Sequence, residues 1–160
     1  MTRFHHILVP VDGSPTSAKA LDEAIRLAIF SGAKITLLHV MDDLSHVTGF
    51  EPAINYVQQI VPLMREAGER LLAKEGEKVL AHRLPVECVL IAEGPGRICD
   101  HVAEHARISH VDLIVVGSHG RRGVARVVLG SDAEQIIRSA PVPVLVVRGN
   151  DLLPDMPVTR

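Results

Sequence analysis

Apolar residues in this chain come in short, nearly continuous runs, separated by longer stretches in which they recur every three or four positions. The runs occupy residues 7–11, 35–40, 86–92, 113–116 and 142–147, and β-branched side chains dominate them. A half-exposed strand alternates apolar with polar positions. Continuous apolar character predicts strands covered on both faces, as in a parallel sheet between helices. The stretches between the runs have readable ends. Ser14-Pro15 predicts an N-cap followed by proline in the first turn. Leu21, Ala24, Ile25 and Ala28 then form a stripe of helical period, and Gly32 stops it. A second helical pattern covers 53–79, with Pro62 either kinking it or starting it afresh. Gly94-Pro95 is expected to open a third helix reaching Ile108. Ser131, with Glu134 three residues on, predicts a capping box at the start of a fourth.

The order is therefore β-α-β-α-β-α-β-α-β, which predicts one doubly wound α/β domain: a five-stranded parallel sheet with helices on both faces. The domain is expected over 1–148, with 149–160, carrying Pro154 and Pro157, as a loosely attached tail. Residues 42–52 form a long connection, a place where compact domains often carry function.

Composition narrows the classes of partner. The chain has 160 residues, 17 Lys plus Arg against 19 Asp plus Glu, and a formal charge of −2. That balance argues against non-specific nucleic-acid binding, which needs many phosphate-neutralising cations. Aromatics are few (Phe4, Phe30, Phe50, Tyr56) and tryptophan is absent, so stacking on single strands is not expected either. No apolar run reaches membrane-spanning length, and the opening residues are not expected to act as a secretory signal. Cys88 and Cys99 form no CxxC pair. Both are expected as reduced, buried core thiols in a cytoplasmic protein.

In doubly wound sheets, ligands bind beyond the carboxyl ends of the strands where strand order reverses. The first strand delivers Pro10-Val11-Asp12-Gly13-Ser14, and the second delivers Val40-Met41-Asp42-Asp43. The fourth delivers Gly117-Ser118-His119-Gly120-Arg121-Arg122-Gly123 and then Leu129-Gly130-Ser131. Three glycines leave backbone amides open to an anion. Ser131 stands at a helix N-terminus, where amides and dipole favour phosphate, and Arg121, Arg122 and Arg126 add charge. The bland alternative stands beside this cradle: a strand end, a helix cap and solvated arginines. His119 is read as a phosphate donor or as a solvent-exposed loop histidine. His101, Glu104 and His105 spell HxxEH but lack a third ligand and are read as surface residues. His5-His6 is expected at an exposed strand edge, Ser14 as a cap and not a nucleophile, and Asp42-Asp43 in a solvated turn.

Pro141 and Pro143 open the last run, and prolines in sheets are confined to edges and strand starts. A bare aliphatic edge tends to pair, so a twofold dimer through 142–147, from Val142 to Val147, is expected.

The spacing Gly117-x2-Gly120-x9-Gly130-Ser131 resembles the nucleotide-binding motif of the universal stress protein family. Ile7-Leu-Val-Pro-Val-Asp-Gly-Ser14 and Pro141-Val-Pro-Val-Leu-Val-Val147 are similar to that family's first and last strands. The resemblance covers about residues 4–148. It implies a Rossmann-like domain with strand order 3-2-1-4-5, homodimers through the last strand, and ATP or another adenine nucleotide as ligand. Carried over by position, Asp12 holds the ribose or adenine edge, and Val11 and Val40 flank the base. Amides of the Gly117–Gly120 turn, with those of Gly130, Ser131 and Asp132, take the phosphates; Pro10, His119 and Arg121 complete the expected contacts. Asp132 and Glu134 depart from comfort, because carboxylates in that turn repel a polyphosphate. Either Asp132 offers only its amide, the preferred option, or a magnesium ion bridges it to phosphate. The implied role is a dimeric stress-response sensor or adaptor acting on an unknown downstream protein. Slow ATP hydrolysis in the same crevice and a non-binding homologue are the alternatives. No residue stands out as a general base for the γ-phosphate, so any turnover is expected to be slow.

Overall fold

The computed structural model describes residues 4–41, 56–92, 94–119 and 129–149. Five strands, β1 (His6–Pro10), β2 (Lys34–Val40), β3 (Val86–Ile91), β4 (Leu113–Gly117) and β5 (Val144–Val147), form one sheet in the order β3-β2-β1-β4-β5. Every neighbouring pair is parallel. Among the described residues, four α-helices connect them: α1 (Pro15–Ser31), α2 (Val61–Ala81), α3 (Ile98–Ile108) and α4 (Ser131–Ser139). None of the described helices is long and apolar enough to cross a membrane.

The period of two along each strand divides the core into two layers. Ile7, Val9, Ile35, Leu37 and Val115 meet Ala20, Leu21, Ala24 and Ile25 of α1 and Leu72 and Val79 of α2. Leu8, Leu38, Ile114 and Val116 point the other way, onto Cys99, Val102 and Ala106 of α3 and Ala133 and Ile136 of α4. Covering both faces is what removes the apolar–polar alternation from the central strands. β3 escapes that rule: as a sheet edge it leaves Glu87 and Cys88 exposed. Cys88 is therefore not a core thiol, whereas Cys99 is.

α1 follows its local code. Ser14 caps it, Pro15 opens it, and Gly32 closes it at φ 73°, in the left-handed region glycine favours. Pro62 stands in the first turn of α2, after a π-helical turn over Tyr56–Ile60, so it starts that helix afresh. Residues 53–55 of that pattern lie outside the described residues. α2 packs closely: a methyl group on Gly68 would sit 2.8 Å from Leu90 Cδ1 and 2.9 Å from His39 Cδ2.

Three expected boundaries move. α3 starts at Ile98 and not at Gly94, because Gly94 and Gly96 hold φ of 135° and 127°, which no right-handed helix contains. Its first turn is closed by Asp100, whose Oδ2 accepts from Arg97 N–H; that bond holds the Asp100 carboxyl below the ordinary carboxylate range. β5 starts at Val144, because Pro143 has no N–H to give the ladder, although its carbonyl accepts from Ile114. At α4 the cap position is Gly130, and Ser131 is already helical. The expected capping box is absent, and Glu134 instead pairs with Arg138.

Candidate functional site

The ladder between β1 and β4 ends at Leu8–Ile114. β1 nevertheless continues beside β2 as far as Pro10–Leu38, and β4 continues beside β5 to Gly117–Val147. Two neighbouring strands thus part at their carboxyl ends, and a cleft of about 540 Å³, counted out to its open mouth, fills the gap. Pro10, Val11 and Asp12 form one wall, Val116, Gly117 and His119 the other, and Val40 and Asp132 flank them. This is the reversal point at which ligands enter doubly wound sheets.

The β1–α1 corner is a ring of local hydrogen bonds. Ser14 N–H donates to Asp12 Oδ1 at 2.8 Å, Ser17 N–H to Ser14 Oγ at 3.2 Å, and Asp12 N–H to Ser17 Oγ at 3.3 Å. Gly13 supplies the φ of 80° that the turn requires. Next door, His39 of β2 donates from Nδ1 to Val11 O at 2.7 Å, which ties the exits of β1 and β2 together.

The β4 corner is held from further away. A methyl group on Gly117 would lie 2.7 Å from the Thr16 carbonyl carbon and 2.8 Å from its oxygen. The missing side chain therefore admits the first turn of α1, a packing reason for glycine that stands beside the expected anion-binding one. Thr16 Oγ1 donates to His119 O. Ser118 N–H donates to Val147 O at 2.8 Å, and Ser118 O accepts from Gly130 N–H at 2.7 Å. The Gly130 amide expected to hold phosphate is therefore already engaged, by the Ser118 carbonyl. His119 is neither a plain solvent-exposed residue nor fully satisfied. Its Nδ1 lies 2.9 Å from Ser118 Oγ, and its Nε2 is buried without a hydrogen-bond partner among the described residues.

Of the residues expected at the site, Pro10, Val11, Asp12, Val40, Gly117, His119 and Asp132 line the cleft. Gly130 and Ser131 are not among its walls, although Ser131 begins the helix whose Asp132 and Ala133 are. The Ser131, Asp132 and Ala133 amides precede the first intrahelical bond, Glu134 N–H to Gly130 O, and form the electropositive end of α4. Gly120 and Arg121, together with Arg122, Gly123, Arg126, Asp42 and Asp43, lie outside the described residues. Ser17, His39 and Ile98 also line the cleft, unforeseen in sequence. Ser17 and Ile98 enter because α1 and α3 start there, and a correct start for α3 would have disclosed Ile98.

The remaining histidines have other work. His6 is no exposed edge residue: it is 4% exposed, with Nδ1 donating to Ser109 O at 3.0 Å and Nε2 accepting from Thr36 Oγ1 at 2.7 Å. Burial, aided by the Lys34 charge, lowers its pKa below the usual 6.5. Glu104 pairs with Arg107, and His105 Nε2 lies 3.3 Å from Ser109 Oγ. Among the described residues, no three His, Cys, Asp or Glu side chains gather as a metal ion requires.

A doubly wound α/β protein with an open cleft at its strand-order reversal is the class that this fold and site define. The chain belongs to the universal stress protein family, whose family profile matches residues 3–148. It is 33% identical over 150 residues to Universal stress protein YxiE of Bacillus subtilis, covering 91% of this chain and 99% of that protein. Among solved structures, it resembles universal stress protein UspA from Lactobacillus plantarum (TM-score 0.79, 26% identity, 92% of this chain and 100% of that one). It also resembles a universal stress protein in complex with cAMP (TM-score 0.64, 23% identity, 92% and 98%). A third similar structure is the universal stress protein from Archaeoglobus fulgidus in complex with dAMP (TM-score 0.62, 19% identity, 91% and 99%).

Proposed function

We propose that this chain binds an adenine nucleotide, ATP or a close relative, in the cleft between β1 and β4. The observation that carries the reading is the parting of β1 and β4 beyond Leu8–Ile114, which leaves Asp12 facing the first turn of α4 across an open hollow. A carboxylate suits ribose hydroxyls, and a helix N-terminus suits phosphate. Two structural neighbours carry cAMP and dAMP by their own descriptions, which supports adenine as the base. Pro10, Val11 and Val40 offer apolar contact to that base. The Ser131 and Asp132 amides, with Gly120 and Arg121, are assigned to the phosphates. Asp132 contributes its amide and not a metal bridge, so magnesium is not required.

The role we assign is regulatory: a cytoplasmic dimer, formed through β5, whose nucleotide occupancy alters its contact with a downstream protein under stress. Leu145 of β5 is 36% exposed on that sheet edge, which supports the pairing surface. The domain is assigned to 1–148; of the expected tail, 150–160 lie outside the described residues.

Thermal unfolding with ATP, AMP and cAMP tests the reading. A nucleotide present at a hundred times its Kd stabilises the native state by about 2.7 kcal/mol. No shift with any of the three at millimolar concentration overturns it. Phosphate release followed over hours separates this regulator from a slow hydrolase, and light scattering that finds only monomer removes the dimer.

A further inference from the structure

The described walls of the cleft hold two carboxylates, Asp12 and Asp132, and no lysine or arginine. The imidazole side chains there are those of His39 and His119. His39 already gives its Nδ1 proton to Val11 O, and its ring edge is packed under Gly68 of α2. His119 is placed differently. Thr16 Oγ1 fixes its carbonyl, Ser118 Oγ fixes Nδ1, and Nε2 remains buried with no partner among the described residues. A buried polar nitrogen left unpaired costs stability, so its retention calls for a partner that arrives from outside.

We propose that nucleotide binding in this cleft takes up a proton at His119, whose Nε2–H then donates to a phosphate oxygen. The proposal rests on the nucleotide reading above and adds its regulation. The nucleotide and one solvent proton enter together. The neutral ring becomes a cation, with one new N–H bond: Nδ1–H donates to Ser118 Oγ, Nε2–H donates to phosphate, and no other covalent bond changes. Among the described residues, the titratable groups facing the cleft beside His119 are Asp12 from the β1 exit, His39 from β2 and Asp132 from α4. α3 contributes Ile98 there, and the first turn of α1 holds no ionisable residue. The two carboxylates repel phosphate, so a proton on His119 offsets the repulsion where no other described cation does. By reciprocity, occupancy then rises as the medium acidifies through the range in which an imidazole titrates.

The test is the Kd of ATP between pH 8 and pH 6, measured by calorimetry on wild type and His119→Gln, with adenosine as a phosphate-free probe. Glutamine keeps a neutral N–H donor but cannot take the proton. ATP's own titration is common to both proteins and cancels in the comparison. Wild-type affinity is expected to tighten roughly tenfold more than the variant's over this range, with no such difference for adenosine. Equal pH profiles for the two proteins overturn the proton linkage while leaving nucleotide binding intact. Absence of binding by wild type at every pH overturns the nucleotide reading itself. Wild type alone carries a second readout, independent of how the variant folds: one histidine ring resonance titrates at higher pH with ATP present. If no histidine moves, the proposal fails.

Discussion

At the corner after β1, Asp12, Ser14 and Ser17 bond to one another within a few residues of chain. At the corner after β4, the bonds reach much further: His119 O receives the Thr16 hydroxyl across 103 positions, and Ser118 is shared between Val147 and Gly130. Both corners frame one cleft, yet one is written locally and the other depends on the finished fold. Structural errors should therefore propagate differently from the two sides. Damage to the first corner loosens one helix end. Damage to the second forces α1 and β4 apart.

Gly117→Ala is the severest way to break that contrast, since its methyl group meets Thr16 backbone and not a flexible side-chain tip. A loss of about 2–3 kcal/mol is expected, read as a fall in Tm of roughly 4–12 °C. A change below 1 °C would mean that α1 and β4 are not packed as described. Ser14→Ala strikes the local corner and is expected to cost about 1 kcal/mol through the lost cap, measured by urea unfolding with an unchanged m-value.

Acid provides a gentler probe away from the cleft. His6 has both ring nitrogens engaged and a pKa lowered from 6.5 by burial, so its neutral form belongs to the folded state. The unfolded chain then binds more protons, and stability falls as pH drops below 6.5 until the folded-state ring also titrates. His105, likewise lowered by burial, adds to the same slope. Urea midpoints between pH 7 and pH 5 check this. His6→Gln should flatten the slope, and an unaltered slope would remove His6 from the account. Smallest of all is Ser131→Ala. Because Gly130 and not Ser131 occupies the cap position, a change within about 0.5 kcal/mol is expected. A loss as large as that of Ser14→Ala would restore the capping box that the sequence suggested.

These outcomes follow the line between what local chemistry encodes and what tertiary contact decides. The strand runs, the Ser14-Pro15 start and the Gly32 stop of α1 need only nearby residues, and they stand where the pattern put them within a residue, except that β5 begins two residues late, after Pro143. Ser131 with Glu134 spells the same kind of signal, yet Gly130 takes the cap while Glu134 turns to Arg138. Gly94-Pro95 reads as a helix start until the positive φ of Gly94 and Gly96 is known. At the site, strand exits were legible because sheet topology alone puts Pro10, Asp12, Val40 and Gly117 together. The reason for Gly117 was not, because Thr16 is adjacent only in space. The burial of His6 was hidden for the same cause: its partners Thr36 and Ser109 are distant in sequence.

Ser118 sits at a crossroads with a mechanical consequence. Its amide grips the outermost strand at Val147, and its carbonyl grips Gly130 at the threshold of α4. Whatever seats itself beside α4 and nudges that threshold therefore tugs, through a single residue, on the rim of the sheet.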